Sequence, residues 1–91
     1  MCYIILRTTV ADYKKWRSIF DENEPLRRSN GAIGGKQIYS DFDNPNSITT
    51  ILEWDKPENA IKFSKSPQLA EVMAKAGVIG KPTLVSIVSR A

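Results

Sequence analysis

Apolar and polar positions change rhythm several times along the chain, and each change marks an element. "YIILRTTV" (3–10) is β-branched and apolar on both faces, as a central strand would be. From residue 13 the rhythm becomes helical: Tyr13, Trp16, Ile19, Phe20 and Leu26 share one broad stripe. Asp12 is the predicted N-cap of this helix, which runs to about Asn30 and stops at Gly31. "IGGKQIYS" (33–40) and "SITTILEW" (47–54) read as strands, joined into a hairpin by the turn formers "DFDNPN" (41–46). Gly34 and Gly35 signal a bulge or a close backbone approach. "DKPE" (55–58) then predicts a short helix through about Lys65, with Asp55 as cap, Pro57 in the first turn and Glu58 closing a capping box. Ser66 and Pro67 repeat the device. Leu69, Val72, Met73 and Ala76 follow at helical spacing until Gly77. "PTLVSIVS" (82–89) is the last strand.

The predicted order is β-α-β-β-α-β, with the second helix in two pieces. This is the ferredoxin-like α+β arrangement, a four-stranded antiparallel sheet with helices on one face, and residues 1–91 are expected to form one such domain. The other sheet face is too apolar for water. In the first strand Tyr3 and Ile5 alternate with Ile4, Leu6 and Val10; in the third, Ile51 lies opposite in sense to Ile48, Leu52 and Trp54. A second copy packing sheet against sheet would cover that face, so a homodimer is expected.

The first helix carries an anomaly. Pro25 lies on its outer face, where a gentle bend toward the sheet would tolerate it. Asn23 and Arg27, however, sit about 20° either side of Trp16, at the centre of the apolar stripe. A polar amide facing a core must find partners or cost about 1–3 kcal/mol. Two readings stand. In one, Asn23 bonds backbone and Arg27 snorkels past the helix end to a carboxylate. In the other, the stripe borders a cavity and both groups meet a ligand.

Charge and composition narrow the classes. Thirteen Lys and Arg against ten Asp and Glu give a net charge of +3, with the two signs interspersed. A nucleic-acid binder more often gathers its basic residues on one face, so no nucleic-acid partner is expected. No apolar run approaches the roughly 20 residues that cross a bilayer, and no secretory leader is evident. With Cys2 as the one cysteine no intrachain disulfide can form, and a cytoplasmic protein without membrane attachment is the expectation. The chain has no histidine, which removes the commonest general base and the commonest zinc ligand, and no metal site is expected.

Several motifs carry less than they suggest. "GAIGGKQ" is one residue short of a phosphate loop and runs from helix to strand, the wrong way round. "DFDNPN" lacks the glycine and the bidentate glutamate of a calcium loop. Glu53 and Asp55 flank Trp54, but Asp55 is already spoken for as a cap. Trp16 and Trp54 either fill the core or wall an aromatic site. Cys2 reads as a small hydrophobe.

With these pieces in place, "DYKKW…F", "G…GG", "LEWD" and "SP.L…M..AGV" resemble the small dimeric α/β-barrel proteins related to antibiotic biosynthesis monooxygenases. The resemblance spans nearly the whole chain and implies a homodimer whose sheets form a barrel, with a pocket between each sheet and its helices. Catalytic relatives oxidise or rearrange polycyclic aromatic molecules, some with no cofactor, and others degrade haem. Relatives often carry a histidine where this chain has Asn23, and haem-degrading members rely on one, so the departure argues against haem degradation. No cofactor is called for. The expected function is binding, or cofactor-independent oxygenation or cyclisation, of a small apolar or aromatic molecule. Trp16, Phe20 and Trp54 would wall the pocket, and Asn23 and Arg27 would orient a polar substituent or stabilise an enolate. The alternative is a non-catalytic interaction protein whose pocket is closed by side chains.

Overall fold

The computed structural model describes all 91 residues. Its elements are β1 (Cys2–Val10), α1 (Tyr13–Glu22), α2 (Glu24–Ser29), β2 (Ala32–Asp41), β3 (Asn44–Trp54), α3 (Pro57–Ser64), α4 (Pro67–Lys75) and β4 (Val78–Val88). The sheet order is β2-β3-β1-β4, with β3 and β4 both antiparallel to β1 and β2 antiparallel to β3. This is the expected ferredoxin-like α+β arrangement.

The β1–β3 register pairs Cys2 with Trp54, Ile4 with Leu52 and Thr8 with Ile48, which sends all of these to one face. On that face Cys2, Ile4, Leu52 and Trp54 pack with Ala60 and Phe63 of α3. Val10 and Ile48 pack with Trp16 of α1 and Ala76 at the end of α4. The helices therefore cover one side of the sheet. The opposite side carries Ile5 and Ile51 on the two central strands, with Tyr3 and Val88 paired at one end, and Tyr39 and Val88 exposed.

Local chemistry accounts for most helix ends. Asp12 caps α1, its carboxylate accepting from the Lys14 amide (3.0 Å). Ser66 caps α4 by accepting from the Leu69 amide (3.2 Å). Gly77 follows α4 at φ +79, the left-handed conformation a helix exit favours. Four expectations need correction. The first helix does not bend gently past Pro25 but breaks at Asn23 (φ −95, ψ 11), and Pro25 sits in the opening turn of α2. A proline there lacks only an amide that the first turn leaves free anyway. The capping box does not form: the N-cap of α3 is Lys56, and Asp55 instead accepts from the Lys56 amide (2.6 Å) and from Asn59 Nδ2 (3.0 Å). The hairpin turn shrinks to Phe42 and Asp43, because Asp41 and Asn44 already pair. Finally, β4 starts at Val78, four residues before Pro82. As an edge strand it accommodates Gly80 and Pro82 through a register shift against β1 between Thr83 and Ile79, with a second shift at Val85. The anticipated irregularity at Gly34 and Gly35 is present as a register shift between Ala32 and Lys36.

Candidate functional site

Between the sheet and the helices lies a cavity of about 230 Å³. Its floor is the inward face of β1 and β3, and its roof is built from α1, α2, α3 and α4. Val78, Pro82 and Leu84 of β4 form one side, where Leu84 is also 47% exposed. All five residues singled out from the sequence, Trp16, Phe20, Asn23, Arg27 and Trp54, line this one cavity.

The helix break explains how polar groups come to face it. Stopping α1 at Glu22 leaves carbonyls in its last turn without their regular partners. Asn23 Nδ2 donates to the Ile19 carbonyl (2.8 Å), and Arg27 Nη1 reaches back seven residues to the Phe20 carbonyl (2.6 Å). Arg27 therefore mends the break at the Phe20 carbonyl, and Asn23 reinforces the Ile19 carbonyl, which still accepts the Asn23 amide (3.2 Å). They satisfy backbone, as the first reading held, and they also border a cavity, as the second held. One detail differs: Arg27 reaches no carboxylate. The chain's ion pairs join Arg7 to Asp41, Arg17 and Lys36 to Asp21, and Arg28 to Glu24, and leave Arg27 out.

Arg27 is only 8% exposed. Its guanidinium lies 3.8 Å over the Phe20 ring, and Phe20 stacks on Trp16 with centroids 4.9 Å apart. Burial pulls the Arg27 pKa below its ordinary value, with the more distant Glu24 and Asp21 opposing. An arginine stays charged through such a shift. Ring and carbonyl recover part of the desolvation cost, about 0.5–2 kcal/mol for the cation–π contact and about 1.5–3 kcal/mol for the charged hydrogen bond. The Nε and Nη2 groups retain no acceptor from the protein.

Trp54, in the same wall, is 2% exposed and packs against Phe63 with centroids 5.3 Å apart. Its indole N–H is the one side-chain polar atom sealed from solvent without a partner. Thr50, 3% exposed, also lines the cavity, and sequence reasoning passed it over. The signal was available: Thr50 occupies an inward position of β3, between Ile48 and Leu52. Phe63, Leu69, Met73 and Leu84 complete the apolar wall. No aspartate, glutamate, lysine, tyrosine or cysteine contributes to it, so Arg27 is its only ionisable group. Cys2 lies outside the lining. Burial, helped by Asp55 and Glu58, pushes its thiol up against the opposing N-terminal charge, away from the reactive thiolate. No cluster of potential metal ligands is present.

Solved structures share this architecture. An antibiotic biosynthesis monooxygenase-like protein from Bordetella bronchiseptica superposes with a TM-score of 0.75 at 16% identity, covering 99% of this chain and 96% of that one. SnoaB, a cofactor-independent oxygenase from Streptomyces nogalater, gives a TM-score of 0.71 at 13% identity over 99% and 92%. The fold is that of the antibiotic biosynthesis monooxygenases. A further monooxygenase-like protein of this fold, from Nitrosomonas europaea, gives a TM-score of 0.66 at 14% identity, covering 99% of this chain and 98% of that one. No protein-family model matches the sequence, and no curated protein matches it either. The resemblance seen in the sequence therefore holds at the level of the fold. No helix is long and apolar enough to cross a membrane.

Proposed function

We propose that the protein is a homodimer, paired through its open sheet faces, in which each protomer binds a small aromatic molecule in the cavity and oxygenates it without a cofactor. The observation that carries this reading is Arg27, a buried cation with no acidic partner, held in an otherwise apolar, aromatic-walled cavity. A fixed positive charge lowers the pKa of a neighbouring phenol or enol. The site can thus favour the ionised substrate electrostatically, although no wall residue serves as a base. An ionised phenol is electron-rich enough to reduce dioxygen itself. One oxygen atom enters the ring, the other leaves as water, and the phenol becomes a quinone, so no further reductant is needed. The structural likeness to a cofactor-independent oxygenase supports the same chemistry. The apolar patch of Tyr3, Ile5, Ile51 and Val88 supports the dimer.

The missing base favours a second reading, in which the cavity binds its ligand and turns nothing over. Native mass spectrometry joined to an oxygen electrode separates the two. We expect a mass of two chains, a discrete adduct or uptake of added naphthol, and oxygen consumption with a dihydroxynaphthalene that falls about tenfold or more in Arg27→Met. Tight binding with no oxygen consumption would establish the non-catalytic reading. A monomer at micromolar concentration would remove the sheet-to-sheet dimer.

A further inference from the structure

The size and charge of the cavity narrow its ligand beyond the proposal above, on which this inference rests. A volume of about 230 Å³ falls short of the roughly 300–1,000 Å³ that surrounds drug-sized molecules, yet exceeds the roughly 150 Å³ that accepts benzene. One or two fused rings fit within it; three or four would project beyond its wall, where Leu84 is already exposed.

The polar groups are lopsided in kind. Arg27 and the Trp54 indole can only donate hydrogen bonds, the other polar wall residues, Thr8, Asn23, Thr50 and Ser64, are neutral, and no carboxylate faces the cavity. Arg27 is also held still. Its Nη1 is tied to the Phe20 carbonyl and its Cζ lies 3.8 Å over the Phe20 ring, while Nε and Nη2, which share the other edge, remain unpaired. That edge is the one that meets an anion through two parallel N–H bonds. A cationic ligand would face an uncompensated positive charge in an apolar setting, and a dianion would leave surplus negative charge there. We infer that the cavity selects a monoanionic aromatic molecule of one or two rings, its carboxylate or phenolate oxygen seated on the free edge of Arg27.

Quenching of Trp16 and Trp54 fluorescence at pH 7.5 tests this on the unmodified protein. The probes are 1-naphthoate, its neutral isostere 1-naphthamide, 9-anthroate as a three-ring acid, and 2,4-dinitro-1-naphthol, a phenolate at that pH. We expect naphthoate to bind about tenfold or more tightly than naphthamide, as a charged hydrogen-bond pair implies, and anthroate to bind about tenfold or more weakly than naphthoate. Whichever of naphthoate and the naphtholate binds better names the oxygen acid that Arg27 prefers, and either result upholds the anion. In a folded Arg27→Met variant naphthoate and naphthamide should become equal, whereas Arg27→Lys should keep a weakened preference. Equal binding of naphthoate and naphthamide to the unmodified protein would overturn the charge selection and leave the ligand site standing. Anthroate binding as well as naphthoate would overturn the size limit. If no probe binds at millimolar concentration, the inference and the proposed site fall together.

Discussion

Asn23 and Arg27 each serve the backbone and the cavity, and the two duties can be separated by substitution. The Ile19 carbonyl receives both the Asn23 side chain (2.8 Å) and the Asn23 amide (3.2 Å). Asn23→Leu would therefore not orphan it, and we expect a loss of only about 0.5–1.5 kcal/mol in urea unfolding. Quenching by naphthoate in the same variant should weaken, because a polar group leaves the wall and a larger apolar one narrows it. A stability loss above about 3 kcal/mol would mark Asn23 as chiefly structural. Both residues were legible in the sequence because helical periodicity placed polar groups where apolar ones were due. The acceptor of Arg27 was not, since the Phe20 carbonyl becomes available only through the break at Asn23. Thr50 escaped notice for the opposite reason: threonine is an ordinary strand former, and nothing about it looks misplaced until the strand register is known.

Elements were legible where hydrophobic period and capping chemistry agree, as at Asp12, Ser66 and Gly77. They were misjudged where a local signal has two outcomes. Pro25 is compatible with a bent helix or with the first turn of a new one, and the choice depends on whether side chains exist to satisfy the released carbonyls. Pro82 reads as the first residue of the last strand, yet an edge strand with one unpaired side admits both Gly80 and Pro82 in its interior. The glycine pair in β2 marks a more demanding irregularity. Gly34 has φ +103, and a Cβ there would also meet the Arg28 guanidinium. Gly34→Ala should cost about 1–3 kcal/mol in thermal or denaturant unfolding. Gly35 has no positive φ, and a Cβ there would press on the Glu53 Cβ (3.2 Å), which needs a shift of only a few tenths of an ångström, so Gly35→Ala should cost less. Equal losses at the two positions would show that crowding rather than backbone conformation governs the bulge.

At the scale of the whole molecule, the arrangement β2-β3-β1-β4 follows from which residues alternate inward, and this is why the fold was readable. Identities of 13–16% with structures of the same shape carry the same lesson: the binary pattern persists where particular residues do not. The cavity was only half readable, because two polar residues on a stripe announce that something lies beneath it but not its size. That size has a mechanical consequence. Hydrostatic pressure favours whichever state occupies less volume, and unfolding eliminates internal void. A chain of 91 residues with a cavity of about 230 Å³ should unfold with a volume decrease toward the large end of the roughly 20–100 mL/mol range. Tryptophan emission followed to several kilobar would measure it. A molecule that fills the cavity should raise the midpoint pressure, making pressure resistance a gauge of occupancy that depends on no chemical turnover.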